Sequence, residues 1–551
     1  MASLNPKTEV LGYYKAAHLL RRACYKVTKS MINSYATKTP EQALNDLFTF
    51  TAPNPPTPLD DFGNTFIPTA AQPSVTTIYN GNADEIRFSH KWWWLYQAVT
   101  TPTIEYRLTY WLHILFITRD EAPITYLANF DYLELLRYHS NGSLKDLAIR
   151  ITKNPAMLKF LNNEESHKDS PNQNYAREFL ELFTILKGEQ VGAADYTNYT
   201  DHDVQQAARV FTGFTTNSQI NGSPTGRLNY LDTVTQIPTG TIVPSMHDTG
   251  NKTFSYAFNY TVITGASTAT GIQQEMENFV TMVFNKPETA KNYCRRLYRY
   301  FLGRNITEEI ETDIITPLAN TLQSNNYNIV PTVKQLLMSK HFYDEDDTLS
   351  GDEVIGALVK SPIDLFLQMI NTFEITIPNY TSNPSSIKDF MQKVILNVSK
   401  NCSLELFRPT TVNGYSGYTS GPFYDMNWIT TTALRIRYKD IIERLVGNGY
   451  TYLNHTYILD TVAFVRNSGH FTNPANAATL IQDFYDLLFV ATPQGDRHAY
   501  FLNNALLGGL TAINWQNEWN NYITTNNPSS VKIALNRLVI AMVQSPEYQV
   551  F

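Results

Sequence analysis

Residues 270–303 read TGIQQEMENFVTMVFNKPETAKNYCRRLYRYFLG, and this stretch decides the fold class. Long side chains recur along it with helical periodicity, and Pro287 lies where a helix would begin. Similar runs occupy 40–50, 90–99, 102–118, 129–139, 143–161, 174–188, 200–213, 306–324, 329–341 and 529–544. Thr200-Asp-His-Asp203 reads as a capping box before Val204. The expected fold is therefore all-α, one large helical body over residues 1–551.

Three segments break the pattern. Residues 51–75, with APNPPTPLDD, read as a proline-rich arm on the surface. Residues 215–268 are rich in Thr, Asn, Gly and Tyr, and pieces such as RLNYL and TFSYAFNYTV favour a small β-hairpin insertion. Residues 408–424 form a Gly/Tyr loop whose glycines, Gly414, Gly417 and Gly421, lack the spacing of a nucleotide cradle. IRITKNPAMLKFL, VKQLLMSKHFYDE and LVIAMVQSPEYQVF echo one another, but their spacing is too irregular for a repeat array.

The chain has 551 residues, 43% of them hydrophobic, which is ample for a sizeable core. Charged residues make up only 17% and the formal net charge is −7, so no nucleic-acid partner is expected. Cys24, Cys294 and Cys402 are scattered, which argues against both a disulfide framework and a thiolate zinc site; no cofactor is expected. The apolar run Trp111–Ile117 contains His113 and is far too short to span a bilayer. MASLNPKTEVLGYY lacks a secretory pattern, which favours the cytoplasm. Neither a G-x-S-x-G elbow nor an H-E-x-x-H helix occurs.

The helix expected from Asn174 places Asn174, Arg177, Glu178 and Glu181 within about 100° of arc, with Tyr175, Phe179, Leu182, Phe183 and Leu186 opposite. This stripe is either a solvated face with Arg177 and Glu181 paired at i,i+4, or the wall of a site.

Together with NPAMLKFLNN, PNQNYAREFLELFTILKG, YTDHDVQQAARVFTGF and MHDTGNKTF, several further segments resemble the bacterial domain of unknown function 1800 family: AAHLLRRA, SPIDLF, FRPTTVNGYSGY and NWITTTALRIR. The resemblance covers nearly the whole chain. It implies a large, mainly helical protein with relatives that are often exported, and a possible protein partner with phosphatase-like or sulfatase-like features. Where the family has a carboxylate, this chain has Asn162 and Gln173. Leu115 stands where a second histidine would follow His113, so no two-histidine metal site is expected. Thr410, Tyr415 and Tyr418 replace a Pro, a Trp and a Gly.

His247, Asp248 and Lys252 of HDTGNK bring an imidazole, a carboxylate and an ammonium into one short turn, suited to acid–base or phosphate chemistry; a plain D-x-G turn explains Asp248 and Gly250 equally well. His18, Arg21 and Arg22 lie one turn apart on a helix and either bind an anion or bridge to another helix. Trp92, Trp93, Trp94 and Tyr96 spread around a helix, and Trp515 and Trp519 form an i,i+4 pair; buried packing is favoured over sugar stacking. Asp201 and Asp203 fit a helix N-terminus.

Two functions follow. One is a binding or assembly protein with a polar cleft between the NQNYARE helix and the HDTGNK turn, in which Asn174, Arg177, Lys252, His18 and Arg22 bind. The other is a hydrolase acting on an anionic or carbohydrate substrate. There Glu178 or Glu181 and His247 serve as acid and base, Asp248 orients His247, and Arg177 or Lys252 holds an anionic group.

Overall fold

The computed structural model describes residues 2–50, 57–60, 64–75, 83–121, 123–346, 352–380, 382–419 and 423–551. The helices that position the site are α1 (Gly12–Ala23), α2 (Glu105–Leu115), α3 (Gln173–Glu178), α4 (Asp201–Val210), α5 (Ala269–Phe284), α6 (Pro287–Phe301) and α7 (Pro362–Thr372). Stretch 270–303 supplies two of them. Helix α5 ends at Asn285, and Pro287, which lacks an N–H to continue the ladder, begins α6. Helix α5 buries Ile272, Met276, Phe279 and Val283, and α6 buries Tyr293, Leu297 and Phe301, each set at helical spacing.

The protein is mainly helical, as its periodicity predicts. One buried apolar cluster runs from Ala2 to Tyr548. Among the described residues strands occur only as four two-stranded antiparallel pairs. Two of these belong to the 215–268 insertion: Phe214–Thr215 with Thr241–Ile242, and Lys252–Thr253 with Val262–Ile263. The TFSYAFNYTV segment does form a hairpin, whereas RLNYL opens in a tight 3-10 turn, Gly226–Asn229. The reason is Arg227: fully buried, it donates to Asp131 at 2.8 Å and to the Pro68 carbonyl at 2.6 Å, which pulls the backbone inward. The other two pairs, Gln190–Gly192 with Asp195–Tyr196 and Tyr450–Tyr452 with His455–Tyr457, lie outside the segment expected to hold strands.

Two local rules break long helical runs. The run 143–161 divides at Asn154, whose Oδ1 accepts the N–H groups of Ala156 and Met157 ahead of Pro155, so the NPAM motif is a helix start. Thr200 and Asp203 form the expected capping box of α4. Asp203 also accepts the backbone N–H and hydroxyl of Ser255, at 2.7 and 2.6 Å, and so anchors the insertion to the helix.

The tryptophans are packed inside. Trp92 stacks on Tyr380 at 5.3 Å, Trp93 meets the same ring edge-on, and Trp515 and Trp519 are buried. The described part of the arm is mixed: Phe66 and Ile67 are buried against Leu127 and Phe130, while Asn64 and residues 71–74 are exposed. Residues 51–56 and 61–63 of that arm lie outside the described residues.

Gly417 of the Gly/Tyr loop shows how tightly this region is built. A Cβ there would fall 1.9 Å from Cζ2 of Trp428, inside the ring's own volume. Gly417→Ala should therefore cost about 3 kcal/mol or more through forced displacement of Trp428. A shift in the urea midpoint checks this, and an unchanged midpoint would show the loop to be slack.

Candidate functional site

The charged stripe forms, but its partners differ from either expectation. Helix α3 ends at Glu178 and gives way to a wider π-helical turn, Phe179–Phe183, in which the Thr184 hydroxyl donates to the Phe179 carbonyl at 2.6 Å. Arg177 does not pair with Glu181. It reaches Asp201 at the start of α4, at 3.0 Å, while Glu181 pairs with Lys187 at 2.5 Å and accepts from the Tyr199 hydroxyl at 3.3 Å. Asn174 is exposed and donates to the Leu161 carbonyl at 3.3 Å. Glu178 is half-buried, and that burial, reinforced by the negative charge of Glu181, lifts its carboxyl from 4.5 to about 6 against the pull of Arg177 and Lys187.

In the HDTGNK turn His247 and Lys252 are sealed, while Thr249, Gly250 and Asn251 are exposed. The His247 side chain is 0% exposed: its Nδ1 lies 2.8 Å from the Thr212 carbonyl and its Nε2 3.1 Å from Glu275 on α5. Lys252 joins Glu275 at 2.5 Å, and burial lowers the affinity of this ammonium for its proton. Asp248 does not orient His247. Its carboxylate takes a two-pronged grip from Arg209, at 2.7 and 3.1 Å, while its N–H donates to the Thr212 hydroxyl. Because its side chain is fully enclosed, His247 does not face an open cleft.

His18 and Arg22 are bridges inside the protein. His18 Nε2 lies 2.9 Å from the Phe342 carbonyl, and burial together with the neighbouring Arg22 pushes its imidazole well below the usual range. Arg22 donates to the carbonyls of Phe301, Leu302 and Val354. Of the two alternatives the bridge is what forms, with backbone oxygens at the end of α6 and at Val354 as the acceptors.

The residues that do converge on open space were missed as a group. A cleft of about 430 Å³ lies between α2, α6 and the Gly/Tyr loop. Trp111, Ile114 and Leu115 of α2 form one wall, Asn292, Arg296, Arg299 and Tyr300 of α6 another, and Tyr418, Thr419 and Tyr424 a third; Leu186 completes it. The α6 residues fall at i, i+4, i+7 and i+8, hence on one face. Leu186 holds a left-handed φ of 63°, unusual for a bulky residue, with its N–H on the Leu180 carbonyl beyond the π turn. Beneath the cleft, sharing Arg299, Tyr300, Tyr418 and Tyr424, is a smaller pocket of about 30 Å³ that reaches Arg22, Arg107 and Asp364.

Within these walls Arg107 pairs with Asp364 at 2.5 Å. Arg296 donates to the Leu182 carbonyl at 2.9 Å, and burial beside Arg299 lowers its guanidinium to about 10. Among the described residues no carboxylate lies within 4.0 Å of Arg296 or Arg299. The sequence held a signal for this pair, since neither arginine has an Asp or Glu three or four residues away on α6. His113, one turn along α2, faces the Tyr132 and Tyr415 hydroxyls at 2.8 and 3.2 Å, and burial takes its imidazole down to about 3. Among the described residues no group of three or more His, Cys, Asp or Glu is placed to hold a metal ion, and no helix is long and apolar enough to cross a membrane.

Fold and cleft together define a mainly helical protein whose motif segments WLHILF, NYAREFLELFTILKG and FRPTTVNGYSGY meet around one cation-bearing cavity. A family model described as "Protein of unknown function (DUF1800)" matches residues 18–550, and the chain belongs to that family. No curated protein and no solved structure matches it.

Two outcomes follow from the sealed and half-buried groups. Lys252→Met leaves Glu275 short of its ammonium and should cost about 3–5 kcal/mol, with part recovered by adding Glu275→Gln. Denaturant midpoints of the single and double variants measure this, and a neutral Lys252→Met would remove the structural role. For Glu178, the folded carboxyl binds its proton more tightly than the unfolded one. Its ionisation therefore lowers stability as pH rises from 4.5 through about 6, and the loss disappears below that window. Glu178→Gln should accordingly raise stability near neutral pH by about 1 kcal/mol, a figure already reduced for solvent screening, and have no effect near pH 4. Thermal melts at the two pH values test the sign.

Proposed function

We propose that this protein works by binding, and that its recognition site is the cleft between α2, α6 and the Gly/Tyr loop. The observation that carries this reading is the make-up of the cleft. Its described walls offer two guanidinium groups, an amide, phenol rings and aliphatic surface, yet no carboxylate, imidazole or thiol to serve as a general base. A volume of about 430 Å³ falls in the range of small-molecule sites. Two of the three phenols are already spent as donors, Tyr424 on the Arg299 carbonyl at 2.6 Å and Tyr300 on the Arg107 carbonyl at 3.2 Å, so these two present ring surface.

The hydrolytic alternative has one observation in its favour: Glu178, lifted to about 6, is poised to exchange a proton near neutral pH. It would require Glu181 as the second group, because His247 is enclosed.

Thr419 sits exposed on the cleft wall, where a large side chain would fill the space without entering the core. Native mass spectrometry after incubation with a cell extract should detect a small molecule on the wild-type protein and none on Thr419→Trp. Retention of that molecule by Thr419→Trp would place recognition elsewhere. A co-purifying protein of the phosphatase-like or sulfatase-like kind, unaffected by the substitution, would make assembly the function.

A further inference from the structure

Four arginines line the cleft and the pocket beneath it, and they divide into two kinds. Arg22 ends on three backbone carbonyls and Arg107 on Asp364 and the Arg21 carbonyl, so both are committed to the fold. Arg296 spends one donor on the Leu182 carbonyl and keeps the other four. Arg299 makes no side-chain hydrogen bond or ion pair among the described residues, although its own backbone carbonyl is engaged by Tyr424. Acids that could have served them are taken: Glu311 is held by Arg295 at 2.6 and 2.8 Å, and Asp425 by Arg304 at 2.9 Å.

Arg296 and Arg299 stand three residues apart on one helix face, where like charges repel. This repulsion is sustained on a chain of net charge −7, in which counter-charges outnumber cations. A guanidinium offers a planar fork that matches the paired oxygens of a carboxylate, phosphate or sulfate. With the Tyr300 and Tyr424 hydroxyls donated to carbonyls, the arginines are the cleft's charged donors. We infer that the ligand carries an oxyanion group held by Arg299 and Arg296, with an aromatic or apolar body lying against Tyr300, Tyr418 and Leu115.

This inference rests on the reading of the cleft as the binding site, and the test separates the two. The full chain is titrated calorimetrically with benzoate, phenyl phosphate, phenyl sulfate and neutral benzyl alcohol at low ionic strength, where screening is weak. At least one of the three anions should bind and benzyl alcohol should not, with affinity falling as salt is added. Arg299→Gln should weaken the anion about tenfold or more, and Arg299→Lys, which keeps the charge and loses the fork, should fall between. Arg299 has no side-chain bond to lose, so the melting temperature and circular dichroism of both variants should match the wild type. Failure of all three anions to bind, or equal binding by Arg299→Gln, overturns the inference. If an extract ligand is lost by Thr419→Trp and retained by Arg299→Gln, the cleft stands as the binding site and the oxyanion assignment falls. If Thr419→Trp also retains it, both fall.

Discussion

A guanidinium withdrawn from water must be matched by oxygen atoms inside the protein, and this requirement organises the whole chain. Arg21 ends on the Leu487 carbonyl, Arg22 on the end of α6, Arg227 on Asp131, and Arg437 on Gln549 and the Lys360 carbonyl. Each joins segments that are far apart in sequence. With so few charged residues to use, the fold relies on cations reaching helix ends, where carbonyls lack intrahelical partners. Arg22, Arg227 and Arg437 each reach at least two acceptors and are closed off from solvent, although one nitrogen of each stays unmatched. Arg296 reaches one acceptor and the exposed Arg299 none among the described residues, and there the surface opens into a cleft.

Burial also separates the two groups of polar residues that appeared equivalent in sequence. HDTGNK and NYARE each place acids and bases close together. In HDTGNK, His247 and Lys252 are buried and both pair with Glu275, a network that fixes the insertion on α5. In NYARE the groups keep contact with solvent, and Glu178 remains without a hydrogen-bonded partner among the described residues while leaning on Glu181. A turn's sequence shows its chemistry but not the helix that will cover it, so Glu275, 28 residues from His247, could not be paired with it beforehand.

Helical periodicity made the fold class legible, and prolines and caps marked many boundaries, as at Thr200 and Pro287. It failed over much of 362–525, where a helix such as Ala512–Thr525 is built from Thr, Asn and aromatic residues of modest helix propensity and is held by packing. The π turn at Phe179–Phe183 was equally invisible, since a fixed 100° step assumes an unbroken helix. Of the expected site, the NYARE stripe was read correctly as a polar face with the wrong partners. The cleft was missed because its residues come from four separate segments, and proximity among Leu115, Leu186, Arg299 and Tyr418 is a property of the packing alone.

The ties of α1 also set an order of events. Arg22 finds its acceptors 279, 280 and 332 residues further along the chain, and Arg21 finds Leu487 466 residues on. At ribosomal rates of about 5–20 residues per second, Arg21 waits roughly 25–90 s for its carbonyl to emerge. Throughout that interval α1 can pack on the neighbouring helix Lys29–Ala36, but its Arg21 guanidinium lacks its acceptor. The cations of α1 are therefore matched only after most of the chain that follows them has been made, so this helix is fixed in place late.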